Sequence, residues 1–155
     1  MSCKTRSRIL GASALICVVL ALSGSGFAQQ ASPATGQQKI VVHLKHFTDD
    51  LHAAFMAVKL AGALKDEGAD VTMFVDLEGV GLADSRQPQD LRWGHSRALS
   101  DYYAAWVKKG GRVLVCPHCA KAAGLQAGSL REGAKIGTEQ EVAALLISAD
   151  KILDY

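Results

Sequence analysis

The residues of this chain best suited to chemistry fall in four consecutive positions, Cys116-Pro117-His118-Cys119. Two cysteines separated by two residues can attack a sulfur atom, hold it as a persulfide, or cycle between dithiol and disulfide. Cys116 ends the apolar run Arg112 to Val115, and Pro117 is a favoured first residue of a helix. Cys116 is therefore expected at the N-cap, where the positive end of the helix favours thiolate over thiol. Cys119 falls one turn along, within disulfide reach, and His118 between them can add charge or shuttle a proton. Cys116, Cys119 and His118 are the expected catalytic residues. As a structural staple the pair would close only a four-residue loop, worth roughly 2 kcal/mol in the chain-entropy model.

The same spacing also suits a metal. The alternative reading is a zinc or copper(I) site built from Cys116, Cys119 and His46, with His95 or His118 as further donors. His118 and Cys119 are adjacent and would diverge on a helix, which weakens a ligand set using both. His43, His46 and His52 cluster near the end of the first expected strand. Taken singly, each reads more simply as a surface or packed residue. Arg92 and His95, with Arg86 nearby, are candidates to bind an anionic sulfur compound such as thiosulfate, against the simpler reading of a solvated loop face. Asp49 and Asp50 read as helix caps rather than an acid–base pair. Trp93 and Trp106 fit either a core or a subunit interface. Gly79 and Gly81 form no nucleotide fingerprint with a following helix, and no cofactor is implied.

These residues need elements to hold them. Lys39 to Lys45 is a β-branched run expected to form a buried first strand. Thr48 to Asp50 supplies capping oxygens for a helix over 51–65, with Leu51, Ala54, Phe55, Val58 and Ala61 on its apolar face. Val71 to Val75 is the second strand, and 77–92 is expected to be a long loop. A helix follows from about His95 to Lys108, then a third strand at Arg112 to Val115. A short helix from Pro117 ends near Gly124, and 125–133 is a loop or short helical turn. Lys135-Ile136 is a very short fourth strand. Thr138 with Glu141 reads as a capping box opening a helix that buries Val142, Leu145, Leu146 and Ala149. Lys151 to Asp154 closes the chain as a strand. Alternating strands and helices with continuous apolar strands imply a three-layer α/β/α fold around a mainly parallel sheet of about five strands. Ligands in such sheets collect at the carboxyl ends of the strands, where Cys116 stands.

Length and composition bound the rest. The 155 residues allow one domain, and 49% apolar with 21% charged residues excludes a disordered polymer. Residues 1–28 run from a short positive stretch through an apolar one, Ile9 to Leu22, to small residues at Gly26 and Ala28. That is the pattern of a secretory signal peptide cleaved after Ala28. A helix of the apolar stretch would span roughly 21 Å against a hydrocarbon core of about 30 Å, which disfavours an uncleaved anchor. The mature protein is expected to be periplasmic or secreted, with no membrane attachment after cleavage. Cys3 and Cys17 depart with the signal, leaving Cys116 and Cys119 in an oxidising space. Residues 29–38 read as a flexible leader and 39–155 as the domain. Removing Lys4, Arg6 and Arg8 takes the 17 basic residues to 14 against 15 acidic. A near-neutral body gives no electrostatic case for nucleic acid.

C-P-H-C also occurs in strongly oxidising periplasmic thiol oxidases of the thioredoxin fold. Those proteins place the motif early and pack a later cis-proline against it. Here 36 residues follow Cys119 and none is proline, so that fold is rejected. Instead, residues 39–155 resemble the DsrE-like family of sulfur-relay proteins. The resemblance rests on the first strand followed by T-D-D at Thr48 to Asp50, then D-L-E-G-V at Asp76 to Val80. It continues in V-C-P-H-C-A-K-A-A-G-L at Val115 to Leu125, and in K-I-G-T with A-D-K-I-L-D-Y near the end. It implies a three-layer α/β fold, homo-oligomers, and a strand-end cysteine that accepts or passes on sulfane sulfur. By its distance from Gly124, Cys116 matches that cysteine, which makes Cys119 a resolving or second sulfur-handling thiol. The expected partners are sulfur donor and acceptor proteins or small sulfur compounds. The protein would act as a sulfurtransferase, a thiol–disulfide oxidoreductase, or a carrier without turnover of its own. It departs from the best-known family members, which are cytoplasmic, in carrying an export signal.

Overall fold

The structure, a computed structural model, describes residues 36–155. The signal-peptide reading and most of the leader lie outside the described residues. Five strands form one all-parallel sheet: β1 (Lys39–Leu44), β2 (Asp70–Val75), β3 (Arg112–Val115), β4 (Ala134–Ile136) and β5 (Lys151–Asp154). Their order across the sheet is β4-β3-β2-β1-β5. The helices are α1 (Leu51–Asp66), α2 (Leu99–Lys108), α3 (Pro117–Ala122) and α4 (Glu139–Ser148). The α/β class and the five-stranded sheet agree with the sequence.

Strand alternation divides the sheet into two faces. Val42, Leu44, Val71, Met73, Val75, Val113 and Val115 point into the larger core, shared with Ala54, Phe55 and Val58 of α1 and Leu99, Tyr103 and Trp106 of α2. Val41, Phe74 and Leu114 point the other way and meet Val142, Leu145, Leu146 and Ala149 around α4. The α4 residues expected to be buried are only half-buried. One ten-residue helix is too narrow to cover five strands, and a hollow of about 630 Å³ remains between α4 and β3–β4.

Local chemistry fixes most boundaries as expected. The Asp50 carboxylate caps α1 by accepting the Ala53 N–H at 3.0 Å. Thr138 and Glu141 exchange both bonds of a capping box at the start of α4. Two boundaries differ. Leu77–Ala83, expected as loop, is a 3₁₀ helix that buries Gly79, Val80, Leu82 and Ala83. α2 begins at Leu99 rather than near His95, because the preceding loop claims the Leu99 N–H for the Leu91 carbonyl at 2.8 Å.

Trp106 is core and Trp93 is surface. Tyr103, also core, donates its hydroxyl to the Glu132 carbonyl at 2.9 Å. Burial pushes its phenol up to about 12. A raised folded-state value favours the neutral form, so this contribution is complete below pH 10, where a free phenol begins to ionise. It is then lost as pH rises toward 12. The urea midpoint should fall over that window by the equivalent of roughly 2 kcal/mol, and a Tyr103→Phe variant should fall by less.

Candidate functional site

Parallel register aligns the ends of the central strands. Leu44 pairs with Val75, and Val75 with Val115. The next residue of each chain segment therefore falls on a common edge. The Asp76 N–H donates to the Leu44 carbonyl at 3.2 Å, and the Cys116 N–H donates to the Val75 carbonyl at 2.9 Å. Alternation carries Asp76 and Cys116 to the α4 face, two residues beyond Phe74 and Leu114 respectively. His43, one residue before the end of β1, shares that face and stacks on Phe74 with ring centroids 5.0 Å apart. β5 adds Asp154, paired in register with His43.

Cys116 occupies the N-cap of α3, with Pro117 in the first helical turn, but its sulfur takes no N–H from the helix. It packs instead beside Val41, Phe74 and Leu114, where alternation directs it. The expected cap interaction is thus not formed. Cys119 receives a backbone donor instead: the Leu77 N–H reaches its Sγ at 3.2 Å. Both cysteines are free thiols and half-buried. Burial pushes the Cys119 thiol up, and a hydrogen bond with Cys116 and the charge of Asp76 push the same way; the Leu77 N–H opposes them. Leu77 adopts φ +44°, a left-handed conformation that costs a non-glycine residue roughly 1 kcal/mol or more. It is also one of the most exposed large apolar side chains. That conformation starts the 3₁₀ helix and aims the N–H at Cys119.

The other sequence candidates separate from the pair. His118 turns to Glu139 at the start of α4, with Nε2 2.9 Å from Oε1, and both side chains are exposed. Arg92 donates to the Ser96 carbonyl of its own loop at 3.1 Å. His95 is exposed beside it, and neither residue makes a hydrogen bond or ion pair with either cysteine. Arg86 is held by the buried Asp84 carboxylate through two bonds of 2.9 Å. That pairing holds Asp84 below the usual carboxylate range and leaves Arg86 partly neutralised for an anion. His52 stacks on Trp93 at 3.8 Å.

The alternative metal set is not assembled among the described residues. His46 is engaged by Asp49 at 2.6 Å, an i,i+3 pair that holds Asp49 down to about 2. Among the described residues no three His, Cys, Asp or Glu side chains converge as a metal-holding group.

Sequence reasoning missed the polar trio of His43, Asp76 and Asp154. His43 Nδ1 lies 2.6 Å from Asp154 Oδ1, and Nε2 lies 3.0 Å from Asp76 Oδ1. A signal for it existed: a histidine inside K-I-V-V-H-L, an aspartate directly after V-T-M-F-V, and another after K-I-L. In a parallel sheet, polar residues at strand ends share one edge.

A model of the DsrE/DsrF-like family matches residues 38–155. The uncharacterized protein MJ0989 of Methanocaldococcus jannaschii is 28% identical over 102 residues, 66% of this chain and 86% of that protein. Among solved structures, the YchN protein of E. coli superposes with a TM-score of 0.64 at 23% identity, over 77% of this chain and all of that one. MTH1491 of Methanobacterium thermoautotrophicum, a protein of unknown function, gives 0.57 at 14% identity over the same shares. These two show the fold. The family model covers well over half of the sequence, and this chain therefore belongs to the DsrE/DsrF-like family.

Proposed function

We propose that this is an exported sulfur-handling protein in which Cys116 accepts a sulfane sulfur and Cys119 resolves or passes it on. The observation that carries this reading is the pair of neighbouring thiols at the carboxyl edge of the sheet, in a family associated with sulfur relay. The Cys116 thiolate attacks the outer sulfur of a donor persulfide. The donor leaves as a thiolate with the bonding electron pair, and Cys116 holds the transferred sulfur as a persulfide. Small sulfur compounds or donor and acceptor proteins would supply and remove it. The export reading rests on residues 1–28, and it places this chemistry in the periplasm or outside the cell.

Peptide mapping tests the assignment of Cys116. Reduced protein is incubated with polysulfide, alkylated and digested with a protease that separates the two cysteines. The extra sulfur is expected on the fragment carrying Cys116. Its appearance only on the Cys119 fragment would reverse the roles.

We also propose a homo-oligomer. Ile147 on α4 is 86% exposed and Ile152 on β5 is 47% exposed, on the thinly covered side of the sheet. Isolated apolar residues are common on surfaces, but these two, with the open hollow at β3–β4 toward the other edge of the same side, suit a second copy of this chain. Light scattering should give a multiple of the monomer mass, and Ile147→Lys should lower it. A monomeric mass for the unaltered protein would contradict this.

A further inference from the structure

His43 stands between two carboxylates and cannot serve both while neutral. A neutral imidazole has one N–H and the charged ring has two. The shorter contact, 2.6 Å from Nδ1 to Asp154, takes the proton of the neutral ring, and that bond holds Asp154 below the usual carboxylate range. Nε2 then turns a lone pair toward Asp76 Oδ1 at 3.0 Å. Both atoms are buried, and neither has an aligned hydrogen-bond partner. One added proton on Nε2 would place a positive charge 3.0 Å from the Asp76 carboxylate, turning this unsatisfied contact into an ion pair. The trio therefore offers a place for one proton, and it lies beside the cysteines. Asp76 immediately precedes the residue whose N–H holds Cys119, and its charge is felt at that sulfur. At the far end, Asp154 is 62% exposed and has Lys45 Nζ at 3.4 Å, so a proton can reach solvent there.

We propose that Asp76, His43 and Asp154 form a proton relay that accepts the Cys119 proton when Cys119 resolves a sulfur species on Cys116. The proposal rests on the reading above, in which Cys116 is loaded and Cys119 resolves. Before resolution, Cys116 carries a disulfide or persulfide to a group R. The Cys119 S–H bond breaks, and its proton passes to the Asp76–His43 contact. The Cys119 sulfur attacks the Cys116 sulfur, forming the intramolecular disulfide, and the Cys116–R sulfur bond breaks. R leaves as a thiolate, or as hydrosulfide from a persulfide, with the bonding pair. Cys119 is oxidised and the leaving sulfur is reduced, so no outside oxidant is needed. The proton then leaves through Asp154.

The groups facing His43 are Asp76 beyond β2, Asp154 of β5 and the Phe74 ring, with Lys45 behind Asp154. From α3, Cys116 packs beside Phe74 on this face, Cys119 packs against the larger core with its Sγ at the Leu77 N–H, and His118 turns to Glu139. Because burial pushes the Cys119 thiol up, a proton acceptor beside it favours its attack.

The aromatic disulfide 5,5′-dithiobis(2-nitrobenzoate) separates the steps in the full chain with Cys3 and Cys17 replaced by serine. The first coloured thiolate reports loading of Cys116, and the second reports resolution by Cys119. Asp76→Asn is expected to slow the second phase at pH 7 by roughly tenfold or more while the first phase stays within about twofold. Its second phase should also become steeply pH-dependent, following Cys119 ionisation alone. His43→Gln, a second route to the same answer, should slow the second phase likewise, and Asp154→Asn by less. Unchanged rates and pH profiles in Asp76→Asn and His43→Gln would overturn the relay while leaving the cysteine roles intact. A second phase that survives Cys119→Ser would instead overturn the underlying reading, and the relay with it.

Discussion

A Cys119→Ser variant is expected to strand sulfur on Cys116. In the unaltered protein, a mixed disulfide or persulfide at Cys116 faces a second thiol one helical turn away. An intramolecular partner held in place acts at an effective concentration far above any millimolar external thiol. Release of the group on Cys116 should therefore slow by roughly a hundredfold or more in the variant. The lifetime of the adduct can be followed by rapid acid quench and mass measurement. The Leu77 N–H now held by Cys119 Sγ at 3.2 Å can be accepted by a serine hydroxyl, so the 3₁₀ turn should persist and the effect should be chemical. Equal adduct lifetimes in the two proteins would mean that Cys119 takes no part in resolution.

Gly79→Ala should produce the largest loss of stability. A Cβ at this position would lie 2.1 Å from the Leu44 carbonyl oxygen and 2.8 Å from its carbon, and backbone at the end of a central strand cannot step aside. The Gly79 N–H also donates to the Lys45 carbonyl at 2.9 Å, which draws the 3₁₀ helix onto β1. Overpacking against backbone costs about 3 kcal/mol, or about 10 °C in Tm for a domain of this size. The displaced turn would carry Leu77 away from Cys119, so the thiol chemistry should change with it. Gly62, inside α1 with nothing within 4 Å of an added Cβ, is the control. Gly62→Ala should gain about 0.5–1 kcal/mol from helix propensity. A Gly79→Ala midpoint equal to that of the control would contradict the tight approach.

The sheet was legible because its central strands are continuous apolar runs, which only a sheet covered on both sides requires. α1 and α4 were legible through side-chain oxygens at their starts, and both caps form. The 3₁₀ helix was not, since seven residues with two glycines carry no helical periodicity. Its formation depends on close packing against β1. At the site, the two cysteines could be read from spacing and strand–helix context. The direction of the Cys116 side chain could not, because strand alternation rather than the cap decides it. Nor could the sequence bring Asp154 to His43. That contact follows from β5 crossing to the far side of β1, a property of strand order. His46 resembled a ligand by proximity, yet Asp49 three residues on is a nearer partner.

The most direct measurement of the sulfur-carrying role is the intact mass of the reduced mature protein after incubation with polysulfide or thiosulfate. The account predicts a gain of one sulfur atom, reversed by reducing agent, abolished in Cys116→Ser and longer-lived in Cys119→Ser. No gain in the reduced protein, or an equal gain in Cys116→Ser, would contradict it.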